Sequence, residues 1–343
     1  YYIWAADATG RLLAERLIAA ADRGVRIRVL VDDINLAGRD AMVAARDAHP
    51  NIEIRIFNPF ANRVLRVFDF LFDLERVNHR MHNKLMVMDN AVAIVGGRNI
   101  GNHYFGVATD ANFRDLDIAA AGPVVRETSG VFDHFWNGDW AVPIAALVDR
   151  PYRESDLQAV REHMAEKIAA DNYPYVVRND VAALQAELVS IRDRFIWAPG
   201  QIVWDDPAAI EEGITEGRMV QALFNKLQTL KSELLVESAY FVVQEKAVEN
   251  VKKLAALHTK AIVFDRESVF IGSFNLDPRS GSINTEAGLY VESPELARQV
   301  IEYMDEGVRP ENSYRVLLDD EGDLYWVTEF DGREVRFYRE PGT

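Results

Sequence analysis

The sequence predicts an α/β protein: two similar α-β-α sandwich lobes related by a pseudo-twofold internal repeat, followed by a short C-terminal β meander. Three observations carry this. First, "HNKLMVMDNAVAIVGGRN" (82–99) and "HTKAIVFDRESVFIGSFN" (258–275) align without a gap, and in each Lys follows His by two positions, Asp by seven, Gly by fourteen and Asn by seventeen. Second, helical and alternating apolar patterns succeed one another through residues 1–150. Third, the short runs "YRVLLDD", "LYWVTEF" and "EVRFY" close the chain as a meander.

Taken in order, "YYIW" reads as strand, and Leu12, Leu13, Leu17, Ile18 and Ala21 have helical spacing, with Thr9 as the expected N-cap and Gly24 as the stop. "VRIRVLVDD" and "NIEIRIFNPF" are strands. "NKLMVMD" and "AVAIVGG" are two more, joined at Asp89-Asn90. Strand, helix, strand, connection, strand implies a buried mixed sheet. The expected domains are a first lobe at 1–150, a charged helical connection at 151–194, a second lobe at 195–309 and the meander at 310–343, turning at Glu321-Gly322 and Asp331-Gly332. The lobes are unequal. A full strand-helix-strand-strand unit separates Trp4 from His82, but only "FVVQEKAVENVKKLAAL" lies between Tyr240 and His258. The natural protein is therefore expected to carry further residues before His258, and the abrupt "YYIW" and "YREPGT" suggest trimmed ends, with an upstream targeting or anchoring segment.

Hydrophobic residues at 49% can fill a sizeable core over 343 residues. Lys and Arg number 38 against 54 Asp and Glu, so the net charge is −16, which disfavours a sequence-independent grip on nucleic acid. With no cysteine, thiolate metal sites, disulfides and cysteine nucleophiles are excluded. No apolar run reaches the length of a membrane span.

The repeated motif carries chemistry. Residues two apart on a strand share a face, so His82 and Lys84 should point together, as should His258 and Lys260. Gly96-Gly97 and Gly272-Ser273 lack bulk and should let Asn99 and Asn275 turn inward. If the lobes pack about a pseudo-twofold axis, the two sets share one pocket suited to a phosphodiester: lysines and asparagines neutralise developing charge, one histidine attacks phosphorus, and the other protonates the leaving alkoxide. Each imidazole then needs an acid on its far nitrogen. Glu286 is placed to serve as one. Asp115, with Asp117 as its alternative, is placed to serve as the other. Asp89 and Asp265 are expected to brace turns.

H-x-K-x4-D followed by G-G/S-x-N, present twice, resembles the phospholipase D superfamily over nearly the whole chain. The resemblance implies a phospholipase D-like fold and metal-independent transfer through a phosphohistidine, with no cofactor. It implies His82, Lys84, Asp89 and Asn99 as one set, His258, Lys260, Asp265 and Asn275 as the other, and Asp115 and Glu286 as the histidine-orienting acids. "TGRLLAERLIAAADRGVRIRVLVDD", "FDHFWNGDW", "ESAYFV" and "GSFNLDPRSGSINTE" resemble the bacterial cardiolipin synthase and phosphatidyltransferase branch. That branch implies phospholipid substrates, phosphatidylglycerol first and phosphatidylethanolamine second, at the bacterial inner membrane surface. Hydrolysis of phospholipid, or an inactive lipid-binding scaffold, are the alternatives.

Arg98 and Arg279 lie near the asparagines and are candidates to hold phosphate or a headgroup, surface pairing being the alternative. "VLRVFDFLFDLERV" (64–77) reads either as an acyl-chain wall or membrane-dipping segment, or as a core helix with Asp69, Asp73, Glu75 and Arg76 outward. The remaining histidines, His49, His79, His103, His134 and His163, have no metal-site spacing, and no metal is expected.

Overall fold

Asp7 opens the first helix: its carboxylate accepts from Gly10 N at 3.0 Å, and α1 (Ala8–Asp22) runs until Gly24 turns the chain with φ 94°. Thr9, the expected cap, lies inside α1 instead. Its amide and hydroxyl both bond Asn102 Oδ1, tying the helix to the loop that follows the first motif. The structure is a computed structural model describing residues 1–171, 173–176, 180–208, 218–239, 258–319, 322–330 and 332–339.

The apolar strand runs form two small sheets in the first half. β1 (Ile27–Asp32) and β2 (Ile52–Phe57) are parallel across a crossover through α2 (Asp40–Asp47). The second sheet is antiparallel: β3 (Leu85–Met88), β4 (Val92–Gly96) and β5 (Asp117–Ala121). Residues 1–5 stitch the two together, since Asp32 N donates to Tyr1 O at 3.0 Å on one side and Ala5 N to Ile100 O at 2.8 Å on the other. Short helices α3 (Val67–Phe72) and α4 (Leu74–Asn78) precede β3. In α3 it is Asp69 that is buried and the phenylalanines that face out, so the core-helix reading of this stretch does not hold.

After α5 (Pro123–Asn137), β6 (Ala141–Pro143) adds antiparallel to β2, which makes the first sheet mixed. α6 (Glu154–Ala170) belongs physically to this half: Leu157 and Met164 are buried against Ile18, Val31, Ile54 and Ile56. α7 (Val181–Arg192) follows and buries none of its residues.

The second half is a five-stranded sheet in the order β7 (Gly200–Trp204), β11 (Ala287–Glu292), β10 (Ser268–Gly272), β9 (Ala261–Phe264), β8 (Leu234–Glu237). Every pairing in it is antiparallel, so among the described residues the expected mixed sheet exists only in the first half. α8 (Arg218–Leu227), α9 (Pro278–Ser282) and α10 (Pro294–Gly307) complete it, with Val300, Ile301 and Met304 of α10 packed on Val263, Val269 and Ile271. Residues 240–257, which hold most of the join inferred to lack a segment, lie outside the described residues.

The halves meet through apolar sheet faces. Val95 and Ala120 of the first pack on Leu289 of the second, and Phe135 of α5 reaches Trp204 of β7. Full burial of Leu289 stabilises this junction by roughly 1.5–3 kcal/mol. A terminal meander, β12 (Arg315–Leu318), β13 (Leu324–Phe330) and β14 (Arg333–Phe337), turns through Gly322 and Gly332 at φ 89° and 73°. Their expected turn partners Glu321 and Asp331 lie outside the described residues.

Candidate active site

The site begins with a buried ion pair. Asp32, at the C-terminal end of β1, accepts from Arg80 Nη1 at 3.1 Å and from Met81 N at 2.8 Å. The next residues pair with the opposite half: Thr285 N donates to Arg80 O at 3.0 Å and His82 N to Thr285 O at 2.9 Å. His82 and Lys84 therefore precede β3 rather than lying on it: the His82 amide pairs with the second half, while Lys84 O accepts from Gly96 N at 3.2 Å just where β3 begins.

This pairing delivers Glu286 to His82. The imidazole Nδ1 lies 2.9 and 3.0 Å from the two carboxylate oxygens of Glu286, and His258 Nδ1 lies 2.6 Å from Asp115 Oδ2. Each half thus supplies the acid for the histidine of the other. Asp115, not Asp117, makes this contact. Lys84 Nζ donates to His82 O at 2.5 Å and Lys260 Nζ to His258 O, so each ammonium is folded back beside its own imidazole. Lys260 Nζ is also 3.9 Å from Asp115 Oδ2.

The motif glycines make room for these acids rather than for the asparagines. A Cβ on Gly97 would sit 2.2 Å from Asp115 Oδ1, and one on Gly96 2.0 Å from Asp117 Oδ1. At the position matching Gly97 the second half carries Ser273, whose hydroxyl donates to Glu286. Asp205 holds the backbone there, accepting from Glu286 N at 3.0 Å and Met219 N at 2.8 Å.

Burial dominates the electrostatics, since taking any of these groups out of water disfavours its charged form. It holds His82 well below its ordinary 6.5, with Lys84 and Lys260 pushing the same way. Burial also lowers His258, but the Asp115 hydrogen bond opposes it. Lys84 is brought down to about 7 by burial, against the pull of Glu286, and Lys260 is lowered for the same reason. Burial raises Glu286 to about 7, against the pull of Lys84 and of the Ser273 hydroxyl. Near neutrality these groups therefore keep the charge of the site small. A phosphate anion placed among Lys84 and Lys260 would draw both back to the ammonium form.

The other sequence candidates divide. Asn99 is engaged structurally: its Oδ1 accepts from Ile3 N at 3.0 Å and its Nδ2 donates to Tyr104 OH at 2.9 Å. Asn275 is buried, and its Oδ1 has no partner among the described residues. Arg98 turns to Asp117 Oδ2 at 3.0 Å and the Asp115 carbonyl, while Arg279 bonds Asn78 Oδ1 at 2.7 Å across the halves; both are occupied as structural ties. Asp89 is exposed at the tip of the β3–β4 hairpin, where Asp89 and Asn90 both have φ 54°. Asp265, at φ 50° in the matching turn, accepts from Lys231, Ser232 and Glu233 N at 2.7–3.0 Å. Those hydrogen bonds hold its carboxyl well below the usual range.

Sequence reasoning missed the aromatic walls. Tyr2 meets His82 edge-on at 5.0 Å, and Tyr104 does the same to His258 at 5.2 Å, while Phe113 stacks on His258 at 4.9 Å. Their only signal was aromatic residues in the loops flanking the first motif and in "YYIW". It also missed the Asp32–Arg80 pair and Asp205, which read as ordinary strand-end acids.

This architecture, two motif-bearing halves that each supply the acid for the other's histidine, is that of the phospholipase D-like class. A sequence model described as "Cardiolipin synthase, PLD-like domain" matches residues 1–136 and 205–307. Cardiolipin synthase C of Escherichia coli K12 is 32% identical over all of this chain and 86% of its own length. The probable cardiolipin synthase YwiE of Bacillus subtilis 168 is 22% identical over 90% of this chain and 60% of its own. Among solved structures, phosphatidylserine synthase of Haemophilus influenzae Rd KW20 shares the fold at a TM-score of 0.58 and 13% identity, over 89% of this chain and 79% of that one. The chain belongs to the cardiolipin synthase PLD-like domain family and is a phospholipase D-superfamily phosphatidyltransferase.

Proposed function

We propose that the protein transfers phosphatidyl groups between phospholipids through a phosphohistidine on His82, with the glycerol hydroxyl of phosphatidylglycerol as acceptor and either phosphatidylglycerol or phosphatidylethanolamine as donor, at the surface of the bacterial inner membrane. One observation carries the reading: two imidazole–carboxylate pairs, each spanning both halves and buried except for a half-buried His258, with two buried lysines beside them. Nδ1 of each ring is held by its acid, which leaves Nε2 for chemistry. In the first step His82 Nε2 attacks phosphorus, an N–P bond forms, the P–O bond to the leaving alcohol breaks, and His258 gives its Nε2 proton to the alkoxide. In the second step the acceptor hydroxyl returns a proton to His258 as its oxygen displaces His82 from phosphorus. Lys84 and Lys260 offset the charge on the non-bridging oxygens. His82, driven to the neutral form by burial, suits the nucleophile, and His258, supported by the 2.6 Å Asp115 contact, suits the proton donor.

The test is to incubate the full-length protein with labelled phosphatidylglycerol in EDTA, with and without phosphatidylethanolamine, and to separate the lipids. A diphosphatidyl lipid is expected. Phosphatidic acid alone would make water the acceptor and overturn the transfer reading. The alignment with the Escherichia coli relative runs over 415 positions against 343 residues here, which supports the reading that internal residues of the natural protein are absent from this chain.

A further inference from the structure

We propose that residues 64–74 form an interfacial element that inserts into a phospholipid surface beside the His82 end of the site. The proposal deepens the phosphatidyl-transfer reading and rests on it for the identity of the substrate. The observation is an inverted polarity. Val64 and Phe72 are 88% and 82% exposed, and Leu65, Val67, Leu71 and Leu74 are each more than half exposed. The arginines at its start turn inward. Arg63 pairs with Asp33 and Asp40, and Arg66 with Asp33 at 2.8 Å, whereas the Arg76–Asp73 pair that follows it stays at the surface. Asp69 is buried and accepts from Asn62 N at 3.0 Å. A water-facing surface would have the opposite arrangement, because scattered exposed apolar residues are ordinary but a contiguous apolar face is not.

Two further facts select a lipid surface as the occupant. The patch is anchored by the same buried acids as the candidate site. Asp33, which anchors Arg63, Arg66 and Phe60 N, directly follows Asp32, which holds Arg80 and Met81 immediately before His82. Phe60 packs on Phe70 of the patch at 5.3 Å and lies under Arg80 at 5.1 Å. A diacyl substrate must present its phosphate to His82 while its chains remain in an apolar phase, and a stretch fixed to the segment that carries His82 can hold the protein at the surface where those chains lie. The second fact is charge. At −16 the chain is repelled by an anionic surface, and the arginines of the stretch are already paired with carboxylates, so attachment here must come from apolar insertion rather than counter-ion attraction.

The experiment uses the full-length protein and vesicles of phosphatidylglycerol and phosphatidylethanolamine. The triple variant Val64→Ser, Leu71→Ser, Phe72→Ser alters three exposed side chains and leaves the core untouched. It is expected to lower vesicle partitioning by at least about tenfold, the loss that about 1.4 kcal/mol of interfacial burial represents. Turnover of vesicle lipid should fall in step. Turnover of monomeric dihexanoyl phosphatidylglycerol should stay within about twofold of the parent, given that surface substitutions of this kind rarely disturb a core. Binding by the parent should change little between low and high salt. In a Phe72→Trp variant, the indole emission should shift to the blue on adding vesicles and be quenched by brominated chains. Unchanged partitioning of the triple variant, or a tryptophan that brominated lipid does not quench, would overturn the proposal. So would a patch that proves to join two copies, seen as a parent that dimerises without lipid, a triple variant that does not, and equal vesicle binding by both. Vesicle binding lost in the variant, with no lipid turned over by the parent, would leave this proposal standing and remove the phosphatidyl-transfer reading.

Discussion

The His82 and His258 ends of the candidate site make the same imidazole–carboxylate contact by different means. Asp115 is short, approaches His258 at 2.6 Å, and is accommodated only because Gly97 has no side chain. Glu286 is one methylene longer and needs more holding: the Ser273 hydroxyl on its carboxylate, Asp205 on its amide, and Thr285 paired to His82 just before it. The consequence is electrostatic. Glu286 is raised to about 7 beside a His82 held neutral, while the Asp115 contact works to keep His258 protonated. Both imidazoles are lowered, but only at His258 does its own acid's hydrogen bond oppose the shift, and the proposed division into attacking and proton-donating ends rests on that difference.

The largest effect should come from the two histidines, and it should be unequal once the leaving group is changed. His82→Ala is expected to remove all turnover, at least about 10³-fold, on both a lipid donor and a donor that releases p-nitrophenolate. His258→Ala should be equally poor on the lipid, since general acid catalysis contributes about 10²–10⁴-fold, yet should retain a stoichiometric burst of p-nitrophenolate, which leaves without a proton. A burst in the His82 variant and none in the His258 variant would exchange the two roles.

Next come the two small residues behind the acids. Gly97→Ala drives a Cβ to 2.2 Å from Asp115 Oδ1, so the buried acid or the backbone must move, at a cost of about 1–3 kcal/mol and with loss of most activity. Ser273→Ala removes one donor from Glu286 without a clash, and should cost about 1–3 kcal/mol if the carboxylate is left unpaired there. Its effect on kcat should be the smaller of the two, because the backbone contacts from Asp205 and Thr285 remain. Thermal denaturation together with kcat for both variants checks the ordering, and equal losses would mean that the ends are held alike.

Asn99 and Asn275 differ in the same spirit. Asn99→Ala takes the Ile3 amide's partner away and one partner from the Tyr104 hydroxyl, so it should lower Tm with KM little changed, whereas Asn275→Ala removes a buried oxygen that has no partner among the described residues and should raise KM without lowering Tm. The reverse pattern would make Asn99 the substrate-facing residue.

Much of this site was legible in the chain because the repeat fixes its parts list. His82, Lys84, His258, Lys260, Asp115 and Glu286 were all picked from spacing and resemblance, and the structure brings all six together. What spacing could not carry was the partner of each acid, since Glu286 reaches His82 across about 200 residues of sequence through the Thr285 pairing. Nor could it say that Arg98 would turn to Asp117, because an arginine at a strand end has many possible partners and only the fold chooses one. The inverted stretch at 64–74 defeated pattern reading for a related reason. Helical periodicity reports that one face differs from the other, not which face points to water.

The smallest expected effect is a pH dependence that separates the two ends. Glu286 has its carboxyl raised from 4.5 to about 7, so between those values the folded state holds a proton that the unfolded state has lost. Its contribution is full below 4.5 and is lost as pH rises through 7. Asp205 and Glu237, also raised to about 7, act in the same window. Lys84 acts oppositely. Lowered from 10.5 to about 7, it leaves the unfolded state holding the extra proton between those values, so stability rises with pH there. The carboxyls make stability fall toward neutrality and the lysines make it rise beyond, while His82 and His258, both lowered from 6.5, act with the lysines and make the acid-side fall shallower. Glu286→Gln should flatten the falling acid-side arm in part, leaving the share due to Asp205 and Glu237, while Lys84→Met should flatten the alkaline arm in part, leaving the share due to Lys260. Urea midpoints between pH 5 and 10 measure both. If Glu286→Gln leaves the acid-side slope untouched, the carboxyl at the His82 end is ionised in the folded protein, and the electrostatic contrast between the two histidines falls with it.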